Sequence, residues 1–84
     1  MEKFTLSKYN YKILRELDFS EMQNNLIFFD EENSFKTDNI DLLMIIINES
    51  ICAYGLDENQ DCTEYGRRLY DLYDELYYKE SEKS

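Results

Sequence analysis

Apolar residues crowd one stretch of the chain. Ile40 and the run from Leu42 to Ile47 are broken only by Asp41 before Asn48 and Glu49 end the run. Asp38 and Asn39, just upstream, carry side chains that accept from the unpaired amides of a first helical turn, and Gly55 suits the end of a last one. The pattern predicts one helix over about 38–54. Its apolar residues cover nearly every azimuth, which requires neighbours on more than one side and makes it the buried central helix. At 1.5 Å per residue it is about 25 Å long, and its apolar run falls well short of the roughly 20 residues that cross a bilayer.

On either side the helical period recurs. Ser7 fits an N-cap, followed by Tyr9, Ile13, Leu14 and Leu17 near one face and Lys8, Lys12 and Arg15 on the other. Residues 20–23 read as a capping box opening a second helix over about 21–29, with Met22, Leu26 and Phe29 inward. A short strand at 26–29 is the rival reading, because four bulky residues in a row lack a clear 3.6 period. Residues 30–38 are polar and acidic except for Phe35, an expected anchor of a loop. After a second acidic connection, Asp61 stands at an N-cap position. Cys62, Tyr65, Leu69, Leu72 and Leu76 then form a seam widened by Tyr73. Gly66, costly inside a helix, points to a close approach of two backbones. The expected fold is therefore all-α, a four-helix single domain over 1–84 with frayed ends at 1–6 and 80–84.

Composition supports helix and adds a charge pattern. The chain has no Pro or Val and only two Gly. Its net charge of −10 is uneven: residues 1–15 balance at +3, residues 16–66 hold thirteen carboxylates against Lys36, and residues 67–84 balance at −1. Such a field repels nucleic acid and anionic membrane and attracts cationic surfaces. Cys52 and Cys62 are expected as two buried thiols rather than a bridge. With no leader pattern at the N-terminus, a cytoplasmic setting is expected.

The absence of His removes the commonest general base and imidazole ligand. Neither glycine belongs to a phosphate loop, and the thiols lack zinc or redox spacing. No catalytic residue, cofactor or metal is expected. What remains is an acidic surface with tyrosines, and the expected partner-binding set is Asp30, Glu31, Glu32, Asp57, Glu58, Asp61 and Glu64 with Tyr54, Tyr65 and Tyr70.

In size, acidity, helical pattern and aromatic-plus-carboxylate clusters, the chain resembles the immunity proteins that neutralise nuclease toxins of bacteriocin, contact-dependent-inhibition and Maf-type systems. The resemblance implies a non-catalytic inhibitor that docks on a basic toxin, with no direct contact to nucleic acid or membrane. Two alternatives stand beside it. One is a phage inhibitor that mimics nucleic acid, with carboxylates along a rod. The other is a homo-oligomeric helical adaptor, a homodimer in its simplest form, favoured if the Ile-rich face of the central helix is left uncovered.

Overall fold

The computed structural model describes residues 1–55, 58–59 and 63–83, the last four of these by backbone alone. Three helices, α1 (Lys8–Arg15), α2 (Ile40–Tyr54) and α3 (Glu64–Lys83), accompany three strands, β1 (Glu2–Thr5), β2 (Leu26–Phe29) and β3 (Ser34–Thr37). The strands form one antiparallel sheet in the order β1-β3-β2. This mixed α/β architecture overturns the all-α four-helix expectation.

The helices begin where the side chains dictate. Ser7 Oγ accepts from the Asn10 amide at 3.2 Å, and Asn39 Oδ1 accepts from the Leu42 amide at 3.2 Å. In α2, Leu43, Met44, Ile46, Ile47 and Ile51 are buried, but Ile45 is 53% exposed, so α2 has one open flank. Along α3, Leu69, Leu72 and Leu76 are fully buried against α2 and α1. Cys52, expected in the core, is exposed and unbridged, while Cys62 lies outside the described residues.

The second expected helix, 21–29, is absent. Its start is a 3-10 turn over Ser20–Met22, a further turn follows over 23–25, and the rest is β2. Four consecutive bulky residues favour a pleated surface, and β2 pairs with β3 from Leu26↔Thr37 to Phe29↔Ser34. The connection is a 3-10 turn over Asp30–Glu32 followed by Asn33 at φ 50, a left-handed conformation that Asn tolerates. The expected loop 30–38 is thus a hairpin turn plus the central strand. β1, in the stretch expected to fray, pairs Phe4 with Phe35 and Glu2 with Thr37. At the other end α3 continues to Lys83, where fraying from 80 was expected.

One face of the sheet carries Phe4, Phe35 and Phe28 into the core. The Phe4 and Phe35 rings stack at 5.3 Å, and Phe28 meets Tyr11 edge-on at 6.3 Å. Phe29, which the helical reading turned inward, lies on the other face with Lys3 and Lys36 at 5.3 and 5.7 Å from its ring.

Gly55 ends α2, but at φ −91, so it is not needed for a left-handed cap. Its role is spatial. A Cβ at Gly55 would lie 2.9 Å from the Gly66 Cα, and one at Gly66 would lie 2.8 Å from the Gly55 Cα and closer still to its carbonyl oxygen. Thr63 locks the junction: its amide and hydroxyl donate to the Gly55 carbonyl at 2.8 and 3.1 Å, and its Oγ1 accepts from the Gly66 amide at 3.0 Å. Thr63 therefore caps α3, and Asp61, expected there, lies outside the described residues.

Candidate functional site

A cleft of about 670 Å³ opens between the end of α1 and the second half of α2. One stripe of α2, with Ile46, Glu49, Ser50, Ala53 and Tyr54 at helical spacing, forms one wall. Ser50 and Ala53 are small, so the stripe is a trough, and Ser50 turns its hydroxyl back to the Ile46 carbonyl at 3.0 Å. Glu16, Leu17, Asp18, Ser20 and Glu21 line the other side, and Tyr65 of α3 completes the rim.

Four carboxylates face this cleft: Glu16, Asp18, Glu21 and Glu49. None has an ion-pair partner among the described residues. Asp18 Oδ1 accepts from the Ser20 amide at 3.0 Å, and that bond holds its carboxyl below the usual value. Burial pushes the Tyr65 hydroxyl up, with further upward pressure from Glu16 and Tyr54. Tyr54 is 69% exposed. The cleft thus combines uncompensated negative charge with two aromatic rings and a short apolar lining.

Four acids outside the cleft are answered from within the chain. Arg15 Nε lies 3.0 Å from Asp30, Lys3 Nζ 2.9 Å from Glu32, Arg68 3.1 Å from Glu64 and Lys79 4.0 Å from Glu75. Such exposed pairs contribute little to stability, typically about 0–1 kcal/mol each. Their consequence is to cancel charge locally.

The expected binding set is therefore divided. Tyr54 and Tyr65 reach the cleft; Asp30, Glu31 and Glu32 sit in the β2–β3 turn and line no part of it. Asp30 is further engaged by the Tyr11 hydroxyl, which donates to Oδ1 at 2.6 Å. Glu64 is paired within α3, Tyr70 projects from α3 half-exposed, and Glu58 is exposed in the α2–α3 connection. Asp57 and Asp61 lie outside the described residues. Missed by the sequence reading were Glu16, Asp18, Glu21 and Glu49. The stripe from Ile46 to Tyr54, with small residues at its centre, was the available signal for one wall.

The Tyr11–Asp30 bond gives a pH prediction. Burial, and then the bond to Asp30, push Tyr11 up from 10.0 to about 12, and the bond to Tyr11 is the main cause holding Asp30 below the usual carboxylate value. Tyr11 therefore contributes stability below about pH 10 that is lost as pH rises toward 12. Asp30 contributes stability above its unfolded value that is lost as pH falls through its lowered one. In an ultraviolet titration one tyrosine should ionise near pH 12, and Tyr11→Phe should remove that step and weaken the acid and alkaline limbs of the stability profile. A native titration unchanged by Tyr11→Phe would contradict the assignment.

Among the described residues, no three carboxylates or thiols converge to hold a metal ion, and no helix is long and apolar enough to cross a membrane. No protein-family model, curated protein or solved structure matches this chain.

Proposed function

We propose that the chain is a non-catalytic acidic inhibitor that binds and neutralises a basic, nuclease-type toxin in the cytoplasm, as an immunity protein does. The observation that carries this reading is the sorting of charge. Glu16, Asp18, Glu21 and Glu49 share one cleft without a cation partner among the described residues, while Asp30, Glu32, Glu64 and Glu75 each have one. Uncompensated like charges in a concave, partly apolar site repel one another, and a cationic side chain entering the cleft relieves that repulsion. Tyr54 and Tyr65 offer ring faces to the same cation. A nuclease must be cationic where it holds phosphates, so it presents Lys and Arg to such a field.

The cleft also refines the expected mode of binding. A concavity receives a projecting basic side chain, so the inhibitor is docked by its partner's Lys or Arg and covers the cationic surface around them with its own bulk. A nucleic-acid mimic would instead spread its carboxylates along an elongated surface.

Capture on the immobilised native protein, followed by mass spectrometry, tests the proposal. The expected result is a basic protein retained at low salt and released at high salt, whose cleavage of nucleic acid stops on addition of one equivalent of this chain. Retention of no basic protein, or a captured nuclease that works unimpeded when saturated, would overturn it.

A further inference from the structure

We propose that the free edge of β2 pairs with the β2 edge of a second copy of this chain, giving a two-fold symmetric dimer with a continuous six-stranded sheet. Nothing in this inference depends on what fills the acidic cleft.

The sheet order β1-β3-β2 leaves β2 bonded on one side only. An edge strand points alternate N–H and C=O groups outward, and natural edges are blunted with charges, Pro or bulges. β1, the other edge, carries Glu2 and Lys3. β2 is Leu26-Ile27-Phe28-Phe29 and carries no such device within the strand. Residues 22–29 are also the longest run without a charged side chain in a chain that is 33% charged. Ile27 is 47% exposed, and the other three residues of β2 are only half-buried.

Beside this edge, on the core side, lies a concavity of about 230 Å³ lined by Leu17, Phe19, Met22, Gln23, Leu26 and Phe28 among others. Strand addition uses both features, main-chain bonds along the edge and pockets for alternate side chains.

Charge decides the occupant. A second copy brings another −10, so it can approach only where the field is compensated. Around β2 and its turn the charges balance: Arg15 pairs with Asp30, Lys3 pairs with Glu32, and Lys36, over the Phe29 ring, offsets Glu31. The acidic cleft fails the condition, and so does the depression around Ile45 and Tyr77, which Asp41 lines with no cationic partner among the described residues.

The strand is also self-complementary. With the two-fold axis at Ile27, each Leu26 faces the other copy's Phe28 and both cores lie on the same side of the sheet, since directly opposed residues share a face. These side chains then cover each other's concavity. Pairing consumes the open edge, and the charges on β1 oppose further addition, so assembly closes at two.

Sedimentation equilibrium of the native chain over a concentration series tests this. The expected result is a mass rising toward twice 10.2 kDa. Ile27→Glu should return it to the single-chain mass, because it sets two carboxylates opposite each other across the axis. Within the monomer it gains a cross-strand partner in Lys36, the residue opposite Ile27 in the register, so the fold is kept and circular dichroism verifies it. Ile45→Lys should leave the dimer intact. Amide exchange in β2 should slow as the native protein is concentrated. A native mass that stays single-chain throughout, or a dimer dissolved by Ile45→Lys and not by Ile27→Glu, would overturn the proposal.

Discussion

Gly66→Ala should lower the thermal midpoint of the protein by roughly 8–16 °C, although alanine is the better helix former. The added Cβ would meet the Gly55 Cα at 2.8 Å and its carbonyl closer still. Both are backbone atoms, and the carbonyl is already fixed by the Thr63 amide and hydroxyl. Overpacking usually costs about 1–3 kcal/mol, and with no flexible side chain to yield, the upper end applies. The gain in helix propensity returns about 1 kcal/mol, leaving a net loss of about 2 kcal/mol or more. A chain of this size has about 4–13 kcal/mol in total, and each kcal/mol moves the midpoint of a 60–100-residue domain by about 4–8 °C. Gly55→Ala should behave alike, since its Cβ would lie 2.6 Å from the Ile51 carbonyl oxygen. A midpoint raised by Gly66→Ala would show that α2 and α3 do not touch there.

Phe35→Ala should cost about 3–5 kcal/mol, the range for a buried aromatic truncated to alanine, and leave little folded protein at 37 °C. Phe35 is fully buried in the central strand, stacked on Phe4, and paired across both edges with Phe4 and Phe28. Its removal opens a void where the three strands meet the helices. Phe29→Ala is the informative comparison. Phe29 lies on the opposite face, half-buried between Lys3 and Lys36, so its truncation should cost far less. A helix over 21–29 with Phe29 inward would make that residue indispensable too. Denaturant unfolding of the two variants therefore tests the sheet directly, and equal losses would contradict it.

The difference between expectation and fold follows from where the information sits. Helix signals are local: Ser7 and Asn39 cap within three residues, and Leu69, Leu72 and Leu76 repeat within two turns, so all of these could be read directly. The glycine pair was half legible, because Gly66 inside a seam implies contact but does not name Gly55. The signal for β1 is long-range. Glu2 pairs with Thr37 and Phe4 with Phe35, and no local pattern joins residues so far apart. Each strand has only four residues, too few for alternation to stand out, and β2 is apolar on both faces, its outer face carrying Phe29 beneath Lys3 and Lys36 and the exposed Ile27. The mark of the hairpin was Asn33, which holds the positive φ between β2 and β3.

Charge was misplaced for the same reason. Counted along the chain, Asp30, Glu31 and Glu32 look like the strongest acidic cluster. Folding brings Arg15 and Lys3 to Asp30 and Glu32, while Glu16, Asp18 and Glu21 gather opposite Glu49 with no cation among the described residues to answer them. Tyr54 and Tyr65 could be picked out because the excess of tyrosines in the last third exceeded what one seam can bury. The carboxylates beside them could not, since their neighbourhood exists only once α1 and α2 pack.

Association kinetics with the captured basic partner, followed at low and high salt, test the acidic cleft most directly. The decisive pair is a cleft variant, Glu16→Gln, Asp18→Asn, Glu21→Gln and Glu49→Gln combined, and a turn variant, Asp30→Asn, Glu31→Gln and Glu32→Gln combined. Asn at 18 keeps an oxygen for the Ser20 amide, so the turn there is preserved. The cleft variant should associate about tenfold or more slowly at low salt and lose most of its salt dependence, the size of an electrostatic steering effect. The turn variant should stay close to the native rate. The reverse ranking, or a cleft variant that associates as fast as the native protein at low salt, would contradict the account.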